Sequence, residues 1–380
     1  MKYSPQSLLI LLKNDFKMLK IITVLGARPQ FIKAAPVSRV ISEDYSDKIK
    51  EVIVHTGQHY DANMSDLFFK EMKIPTPDYR LHVGGKSHAQ MTAEILIELE
   101  TLMLKEQPDL VLVYGDTNST MAAALTASKL HIPVAHVEAG MRGYNKEIPE
   151  EVNRVLTDHV TTYFFCTSQV AIDNLLQEGL EEHLYNVGDV MYDAVLFYEP
   201  DAIGSGIHID LPSKYYLATI HRQENTNSEE NLCGIFDAFA QLDEPVVLPL
   251  HPRTKKYMEH YKISPKNVHI LDPVGYFDML YLIKNSNMVL TDSGGLQKEA
   301  YYQQKAVAVI HGASRPRNEW QELFDAGFAK TTLPRVQDIN KAVAALKLCE
   351  DFSQRFYGEG DAAQKIVRII NENLGSRELD

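Results

Sequence analysis

Cysteine is scarce in this chain of 380 residues: Cys166, Cys233 and Cys349 lie far apart and form no Cys-x-x-Cys pair. This spacing argues against a disulfide framework and against a zinc site, so core thiols in a reducing cytosol are expected. Long apolar runs are also missing, since none approaches the ~20 residues of a membrane-spanning helix. We therefore predict a cytoplasmic protein that has no membrane as a partner.

Basic residues are in the minority, with 38 Lys and Arg against 51 Asp and Glu, and the formal net charge is −13. Such a charge disfavours non-specific binding to nucleic acid or to anionic membrane surfaces. We therefore predict no nucleic-acid partner. An anionic ligand stays compatible with this composition, provided that a local basic pocket receives it.

Two familiar nucleotide motifs are absent. No Gly-x-Gly-x-x-Gly follows an apolar run, and no Gly-x-x-x-x-Gly-Lys-Ser/Thr occurs, which argues against dinucleotide redox chemistry and P-loop ATP chemistry. No cluster of His, Cys and Asp has the spacing of a zinc site. We therefore predict a protein that needs no metal and no cofactor.

Apolar runs alternate with helical patterns along the chain, which predicts an α/β fold whose parallel sheets are covered on both faces. The runs of the first half are 20–25, 52–55, 110–114, 134–137, 163–166 and 186–187. Those of the second half are 216–219, 246–250, 269–271, 288–290 and 307–310.

Pro200, Gly204, Gly206 and Pro212 predict a linker between the two halves. We expect a loose N-terminal tail over residues 1–17 and two Rossmann-like domains. The domains and the returning segment are predicted at 18–199, 200–361 and about 362–380. This last segment contains a helical stretch that is expected to cross back to the first domain.

Charged and polar side chains follow the predicted strands, where ligands bind in open α/β sheets. They are Arg28, Lys33, Gln58, His59, Asp116, Glu138 and Arg142 in the first half, and residues 221–225, His251, Arg253 and the loop around Ser293 in the second. Basic groups suit a diphosphate, and carboxylates with a histidine suit proton transfer. So many charged groups at successive strand ends favour a binding site over ordinary turns.

Some of these residues also have an ordinary explanation when each is taken alone. His221 is compatible with a surface histidine at a strand end. Glu150 and Glu151 are compatible with first-turn acids after Pro149, at the start of a helix. The residues themselves leave open both the ordinary explanation and a role in a binding or catalytic site.

The stretch 290–300 turns from a strand into a helix through Ser293, Gly294 and Gly295. Helix-start amides attract anions, phosphates above all, and glycines let the backbone approach a ligand closely. Ser293 can both cap the helix and donate to a phosphate oxygen, while Glu299 can accept from sugar hydroxyls about one turn further on. A loop that merely turns the chain is the alternative.

Six motifs occur in order. They are Gly26-Ala27-Arg28-Pro29-Gln30-Phe31-Ile32-Lys33, Tyr114-Gly115-Asp116-Thr117, His136-Val137-Glu138-Ala139-Gly140-Met141-Arg142, Pro149-Glu150-Glu151 with Asn153-Arg154, His221-Arg222-Gln223-Glu224-Asn225 and Thr291-Asp292-Ser293-Gly294-Gly295. Together they resemble those of the non-hydrolysing UDP-N-acetylglucosamine 2-epimerases, from about Met18 to Gly327. The resemblance implies a GT-B arrangement: two Rossmann-like domains, an interdomain cleft and a final helix that returns to the first domain.

The resemblance also implies an isomerase that inverts C2 of a UDP-N-acetylated sugar for bacterial surface polysaccharide synthesis, acting as a homodimer. UDP would be eliminated across C1–C2 to give a glycal and would add back with the opposite configuration at C2. By resemblance, Asp116, Glu138 and Glu150 are the acid/base carboxylates, and His221 assists near the diphosphate. The substrate-binding residues implied are Arg28, Lys33, Arg142, Arg154, Ser293, Gly294, Gly295 and Glu299.

The stretch 311–320 departs from the common family pattern and has Trp320 in place of an arginine that approaches the ligand. Together with 55–65, it looks more like the branch that acts on UDP-2,3-diacetamido-2,3-dideoxy-glucuronate. Arg315 or Arg317 is then placed to pair with the C6 carboxylate of that sugar, unless both are exposed on a loop. Conversion of UDP-N-acetylglucosamine to its manno epimer is the other reading of the substrate.

Other functions share part of this pattern. A GT-B glycosyltransferase with a UDP-sugar donor would share the Ser293 loop but would need no trio of carboxylates. A hydrolysing relative would release UDP and a free sugar. A UDP-sugar sensor without catalysis would tolerate the loss of Asp116.

Overall fold

The computed structural model describes residues 18–58, 69, 73–204, 210–311, 320–349 and 351–375. The predicted tail over residues 1–17 and the predicted binding residue Arg315 lie outside these residues, as do His59 and Arg317. The chain divides into two compact units. The first takes in the residues up to Met141, then Asn145–Val190 and the residues from Asp361; the second takes in Arg142–Tyr144 and Met191–Gly360.

The first unit contains a seven-stranded parallel sheet. Its strands are β1 (Leu19–Leu25), β2 (Ile49–His55), β3 (Tyr79–Arg80), β4 (Leu110–Tyr114), β5 (Val134–Ala139), β6 (Tyr163–Cys166) and β7 (Leu184–Asn186). They lie in the order β3-β2-β1-β4-β5-β6-β7. The central strand β4 is buried along its whole length, as a parallel sheet covered on both faces requires.

The helices of the first unit cover this sheet. They are α1 (Arg28–Asp44), α2 (His88–Glu106), α3 (Asn118–Lys129), α4 (Pro149–Asp158), α5 (Gln169–Gln177) and, from the far end of the chain, α14 (Ala362–Leu374). Thr117 caps α3, because its side chain accepts from the Thr120 main-chain N–H at 3.2 Å. This cap starts a helix directly behind Asp116, at the end of β4.

Helix α14 completes the first unit, although the whole stretch Met191–Gly360 separates it from the rest of that unit in sequence. It packs against α1. Its buried face is formed by Ala362, Ala363, Ile366, Val367, Ile370 and Leu374, a spacing that brings these side chains onto one side of a helix. This apolar stripe holds the end of the chain on the first unit.

The second unit contains a six-stranded parallel sheet. Its strands are β8 (Tyr216–Thr219), β9 (Val246–Pro249), β10 (Val268–Leu271), β11 (Met288–Thr291), β12 (Val307–Ile310) and β13 (Ala329–Thr332). They lie in the order β10-β9-β8-β11-β12-β13. Its helices are α6 (Val190–Gly204), α7 (Gln223–Thr226), α8 (Glu229–Phe239), α9 (Pro252–His260), α10 (Tyr276–Asn285), α11 (Gly294–Tyr302), α12 (Gln321–Asp325) and α13 (Val336–Leu346).

One local prediction was wrong. Residues 200–204 were expected to begin a linker, yet they form the last part of α6, with Pro200 inside the helix. A proline lacks the N–H that a helix interior uses, which is why it predicts a break, but a helix tolerates it where packing compensates. In the part of the chain that the structure describes, no helix is long and apolar enough to cross a membrane.

Candidate active site

Strand β5 ends in a backbone irregularity that carries Glu138. Val137 pairs with Phe165 and Ala139 with Cys166, so Glu138 is the extra residue of a β-bulge. Its φ is 70°, in the left-handed region that few residues other than glycine adopt. Such a conformation costs on the order of 1–3 kcal/mol and persists only where the surroundings hold it. The bulge and its left-handed backbone therefore set the direction of the Glu138 side chain.

Lys33 on α1 contacts this carboxylate, since its Nζ donates to Glu138 Oε2 in an ion pair. Gln30 fixes the start of the same helix: its Oε1 accepts from the Gly26 main-chain N–H at 2.7 Å, and its Nε2 donates to the Tyr114 carbonyl at 2.6 Å. The turn after β1 is thus tied to the end of β4. As a result, Lys33 reaches the end of β5.

Asp116 follows β4 and is held by residues of α4. Arg154 donates to Asp116 Oδ2 from Nε at 3.0 Å and from Nη2 at 2.5 Å, and its Nη1 donates to Glu151 Oε2 at 3.1 Å. Asn153 Nδ2 donates to the Asp116 main-chain carbonyl at 2.9 Å. The three α4 residues are buried, whereas the Asp116 side chain is 30% exposed. Helix α4 therefore positions Asp116 and leaves it accessible to a ligand.

A cavity of about 280 Å³ in the first unit is lined by Lys33, Gly115, Asp116 and the exposed Glu150, among others. Glu138 Oε2 lies 3.4 Å from the point that a Cβ on Gly115 would occupy. The three predicted acid/base carboxylates and one lysine are thus gathered at the carboxyl ends of β4 and β5. Carboxylates that neighbour a cation and a cavity are suited to proton transfer.

In the second unit, the fully buried Asp292 organises the end of β11. Its Oδ2 accepts from the main-chain N–H groups of His221 at 3.0 Å and Arg222 at 2.9 Å, and from Asn225 Nδ2 at 3.1 Å. His221 Nδ1 lies 3.3 Å from Asp292 Oδ1. Asp292 was not among the predicted site residues, although it belongs to one of the motifs. It holds the turn that carries His221 beside the Ser293 loop.

Ser293 is the N-cap residue of α11, which begins with Gly294 and Gly295. The first amides of a helix lack acceptors within the helix and, with the helix dipole, attract anions. Arg222 adds a cation here, because its Nη2 lies 3.8 Å from the point that a Cβ on Gly294 would occupy. These features make this end of α11 suited to an anion, and Glu299 lies in the second turn of the same helix.

His251, at the end of β9, was noted in the sequence without an assigned role. Its ring centroid lies 5.4 Å from that of His221, and its Nδ1 accepts from the Arg253 main-chain N–H at 3.1 Å as the cap of α9. Burial, and then the neighbouring His221, lower the pKa of His251, which favours a neutral ring. The adjacency of β8 and β9 explains this pairing, and no local sequence signal could have given it.

The predicted site residues fall into two groups, one in each unit. The first unit holds Arg28, Lys33, Asp116, Glu138, Glu150 and Arg154, and the second holds Arg142, His221, Ser293, Gly294, Gly295 and Glu299. Arg142 is buried in the short piece Arg142–Tyr144. Among the described residues, no three His, Cys, Asp or Glu side chains are arranged to hold a metal ion. The group in the first unit offers carboxylates for proton transfer, and the group in the second unit offers N–H donors and cations that attract an anion.

Comparison with known proteins identifies the family. A model of the UDP-N-acetylglucosamine 2-epimerase family matches residues 43–371. The chain therefore belongs to the UDP-N-acetylglucosamine 2-epimerase family, and the predicted family and enzyme class, an isomerase of the epimerase type, are confirmed.

Individual relatives are similar to this protein over nearly the whole chain. A UDP-2,3-diacetamido-2,3-dideoxy-D-glucuronate 2-epimerase from Pseudomonas aeruginosa is 46% identical over 361 residues, which are 93% of this chain and 99% of that protein. The crystal structure of Methanocaldococcus jannaschii UDP-GlcNAc 2-epimerase in complex with UDP-GlcNAc and UDP has 37% identity and a TM-score of 0.81, with 93% of this chain and all of that chain covered.

A more distant likeness concerns the fold alone. The glycosyltransferase SnogD from Streptomyces nogalater has 14% identity and a TM-score of 0.55, with 93% of this chain and 100% of that chain covered. The predicted fold class, α/β of the GT-B type with two Rossmann-like domains, is confirmed by these matches and by the two parallel sheets.

Proposed function

We propose that this chain epimerises C2 of a UDP-N-acetylated sugar without hydrolysis, by eliminating and re-adding UDP. The observation that carries the proposal is the grouping of Asp116, Glu138 and Glu150 around Lys33, beside one cavity. Epimerisation at C2 requires one group that removes a proton and another that returns one on the opposite face. A single carboxylate cannot face both sides of a sugar ring, so a set of carboxylates fits this chemistry.

The reaction is redox-neutral. A carboxylate takes the C2 proton while the C1–O bond to UDP breaks and a C1–C2 double bond forms. A carboxylic acid then returns a proton to C2 from the other face, and UDP rebuilds the C1–O bond. The negative charge that develops on the departing diphosphate needs cations and N–H donors nearby.

We assign diphosphate binding to the start of α11, with Ser293, Gly294 and Gly295. The helix-start amides and the nearby Arg222 support this assignment, since both favour an anion. Arg28, Lys33, Arg142 and Arg154 are further candidates for binding the substrate. Glu299 is the candidate for the ribose hydroxyls, and His221 for assistance near the diphosphate.

For the sugar, we favour UDP-2,3-diacetamido-2,3-dideoxy-glucuronate over UDP-N-acetylglucosamine. The 46% identity to a protein named for the former supports this choice, against 43% for a protein named as a UDP-N-acetylglucosamine 2-epimerase homolog and 32–38% for several proteins named as UDP-N-acetylglucosamine 2-epimerases. A role in surface polysaccharide synthesis, a cytoplasmic location and a homodimer are part of the same proposal. If light scattering gives the mass of a single chain in solution, the proposed homodimer is wrong.

An NMR time course in D2O tests the proposal, with each UDP-sugar offered separately. We expect deuterium at C2 of a manno-configured UDP-sugar, and the faster substrate identifies the branch. Free UDP with a released sugar would instead indicate a hydrolysing enzyme. No reaction with either would favour a glycosyltransferase that uses a UDP-sugar donor.

A further inference from the structure

A buried histidine and a buried aspartate lie directly behind the candidate carboxylates in the first unit. His136 and Asp158 are both fully buried. His136 Nδ1 lies 2.7 Å from Asp158 Oδ1, and His136 Nε2 lies 2.7 Å from the Gly115 carbonyl oxygen. Both ring nitrogens thus face oxygen atoms. Nε2 must carry a hydrogen, and one further proton lies between Nδ1 and Oδ1, because two acceptors cannot bond to each other.

The same pair also reaches the end of β5. Asp158 Oδ2 accepts from the Gly140 main-chain N–H at 3.1 Å. On the other side of this residue, Asn174 Nδ2 donates to the Gly140 carbonyl at 2.9 Å. Gly140 is thereby held at both its N–H and its carbonyl, two residues after the bulged Glu138.

We infer that His136 and Asp158 form a positioning pair that sets the places of Asp116 and Glu138. A continuous chain of hydrogen bonds runs from Gly115, which precedes Asp116, through the pair to Gly140. The ends of this chain, Gly115 and Gly140, have φ values of 63° and 78°, which glycine adopts without strain. Glu138, two residues before Gly140, has a φ of 70°, and such backbone in a residue other than glycine must be held by its surroundings. The inference rests on the proposed function, in which these two carboxylates handle the C2 proton.

The pair acts through the backbone and lies away from the ligand. Neither His136 nor Asp158 lines the cavity that Asp116 and Glu150 share, and both are sealed from solvent. Its loss should therefore misplace the acid/base groups without removing a contact to UDP. A displacement of about 1 Å of a reacting group can cost about 10²-fold in rate. Loss of the pair should therefore lower kcat and leave KM nearly unchanged.

Two substitutions at Asp158 separate hydrogen bonding from charge. In Asp158→Asn, Nδ2 can donate to a neutral His136 ring and Oδ1 can accept from Gly140. Every hydrogen bond from Gly115 through the pair to Gly140 therefore survives. We expect this variant to keep kcat within roughly threefold of the wild type. In Asp158→Ala the bonds to His136 and Gly140 are both lost, and we expect kcat to fall by about tenfold or more, with KM within roughly threefold.

His136→Asn provides an independent test from the other end. The shorter amide can still donate to Asp158 but cannot also reach the Gly115 carbonyl, so kcat should fall as in Asp158→Ala. The matched control is His159→Asn, at an exposed histidine next to Asp158 whose side chain is 47% exposed. This control should keep the kcat and KM of the wild type.

The outcomes are distinguishable. A wild-type chain that epimerises neither UDP-sugar would refute the proposed function. If the wild type is active and Asp158→Asn is folded but as slow as Asp158→Ala, the positioning pair alone is refuted. Normal kcat in His136→Asn would refute it as well. If Asp158→Ala and His136→Asn do not fold, Asp158→Asn decides: retained kcat supports the pair, and a loss of about tenfold in folded protein overturns it.

Discussion

His55, at the end of β2, is buried as a neutral imidazole. Its Nδ1 accepts from the Gly57 main-chain N–H at 3.0 Å, and the Phe31 ring packs edge-on against it at 4.9 Å between centroids. Burial first, and then the charge of Arg80, lower the pKa of His55 from 6.5 to about 4. Between these two values the unfolded chain binds a proton that the folded chain does not.

The free energy of unfolding should therefore decrease as the pH falls below about 6.5, and this contribution should be fully lost below about 4. Between about pH 7 and about pH 5.5 we expect a loss on the order of 1 kcal/mol from this residue. His55→Asn keeps an acceptor for Gly57 but does not titrate, so its stability should depend less on pH.

Urea unfolding at several pH values measures this difference. The control is His260→Asn, at an exposed histidine in the last turn of α9, which should keep the pH dependence of the wild type. The same pH dependence in the wild type, in His55→Asn and in the control would contradict the prediction.

Asp116→Asn and Glu138→Gln replace two candidate acid/base groups by amides of nearly the same shape. We expect each to lower the rate of epimerisation by at least about 10²-fold, because an amide cannot exchange the C2 proton. UDP affinity should stay nearly unchanged, since the diphosphate is assigned to the start of α11. Coupled turnover assays and calorimetric titration with UDP measure the two quantities.

Glu147→Gln serves as the control for these carboxylates, since Glu147 is an exposed acid on the segment between β5 and α4. It should leave turnover unchanged. Normal turnover in Asp116→Asn or in Glu138→Gln would remove that residue from the mechanism.

The sequence predicted which residue types meet at the strand ends. It did not predict the backbone geometry and the side-chain contacts that hold these residues in place. Asp116 and Glu138 were expected near each other because both follow strands of one parallel sheet. The bulge at Glu138 and the contact of Arg154 with Asp116, 38 residues away along the chain, depend on tertiary packing. Periodicity and spacing carry no information about such contacts.

At the scale of elements, the tight connection from β5 is sensitive to a single methyl group. Gly140 has a φ of 78°, and a Cβ there would overlap the carbonyl oxygen of Ala171. Gly179 has nearly the same φ, 79°, but nothing lies within 4 Å of the point that a Cβ on it would occupy. The two glycines therefore separate backbone strain from steric overlap.

We expect Gly179→Ala to destabilise the protein by about 1 kcal/mol through the left-handed backbone alone. Gly140→Ala should cost at least about 2 kcal/mol more, since the strand end must also shift away from α5. Denaturant unfolding of the two variants measures the difference. Equal losses of stability would mean that the Gly140 connection accommodates a side chain.

The strands were the elements most readable in the sequence, because continuous apolar runs such as 110–114 need no tertiary context to be recognised. The two-residue strand β3 and the polar strand β13 were not predicted, since neither has such a run. The extension of α6 through Pro200 was missed because its packing outweighs the local effect of proline. Element ends depend on neighbours that the sequence does not display.

At the scale of the whole molecule, the first unit depends on a helix from the far end of the chain. Ile370→Ala on the buried face of α14 should destabilise this unit by about 2–5 kcal/mol, as deletion of a buried aliphatic side chain does. The control is Arg368→Ala, at an exposed position of the same helix, with an expected effect of about 0.5 kcal/mol or less.

Hydrogen exchange can show where the loss falls. In Ile370→Ala, amides of α1 should exchange faster, because α14 packs against α1. Amides of β8 in the second unit should keep their rates. Faster exchange confined to the second unit would contradict the assignment of α14 to the first.

The place of α14 also has a consequence for protein synthesis. The ribosome makes residues 191–360, nearly all of the second unit, before it makes the helix that closes the first. At about 5–20 residues per second, the nascent first unit waits roughly 10–40 s for its last helix. During that time the surface of α1 that α14 will cover stays open to chaperones and to other nascent chains.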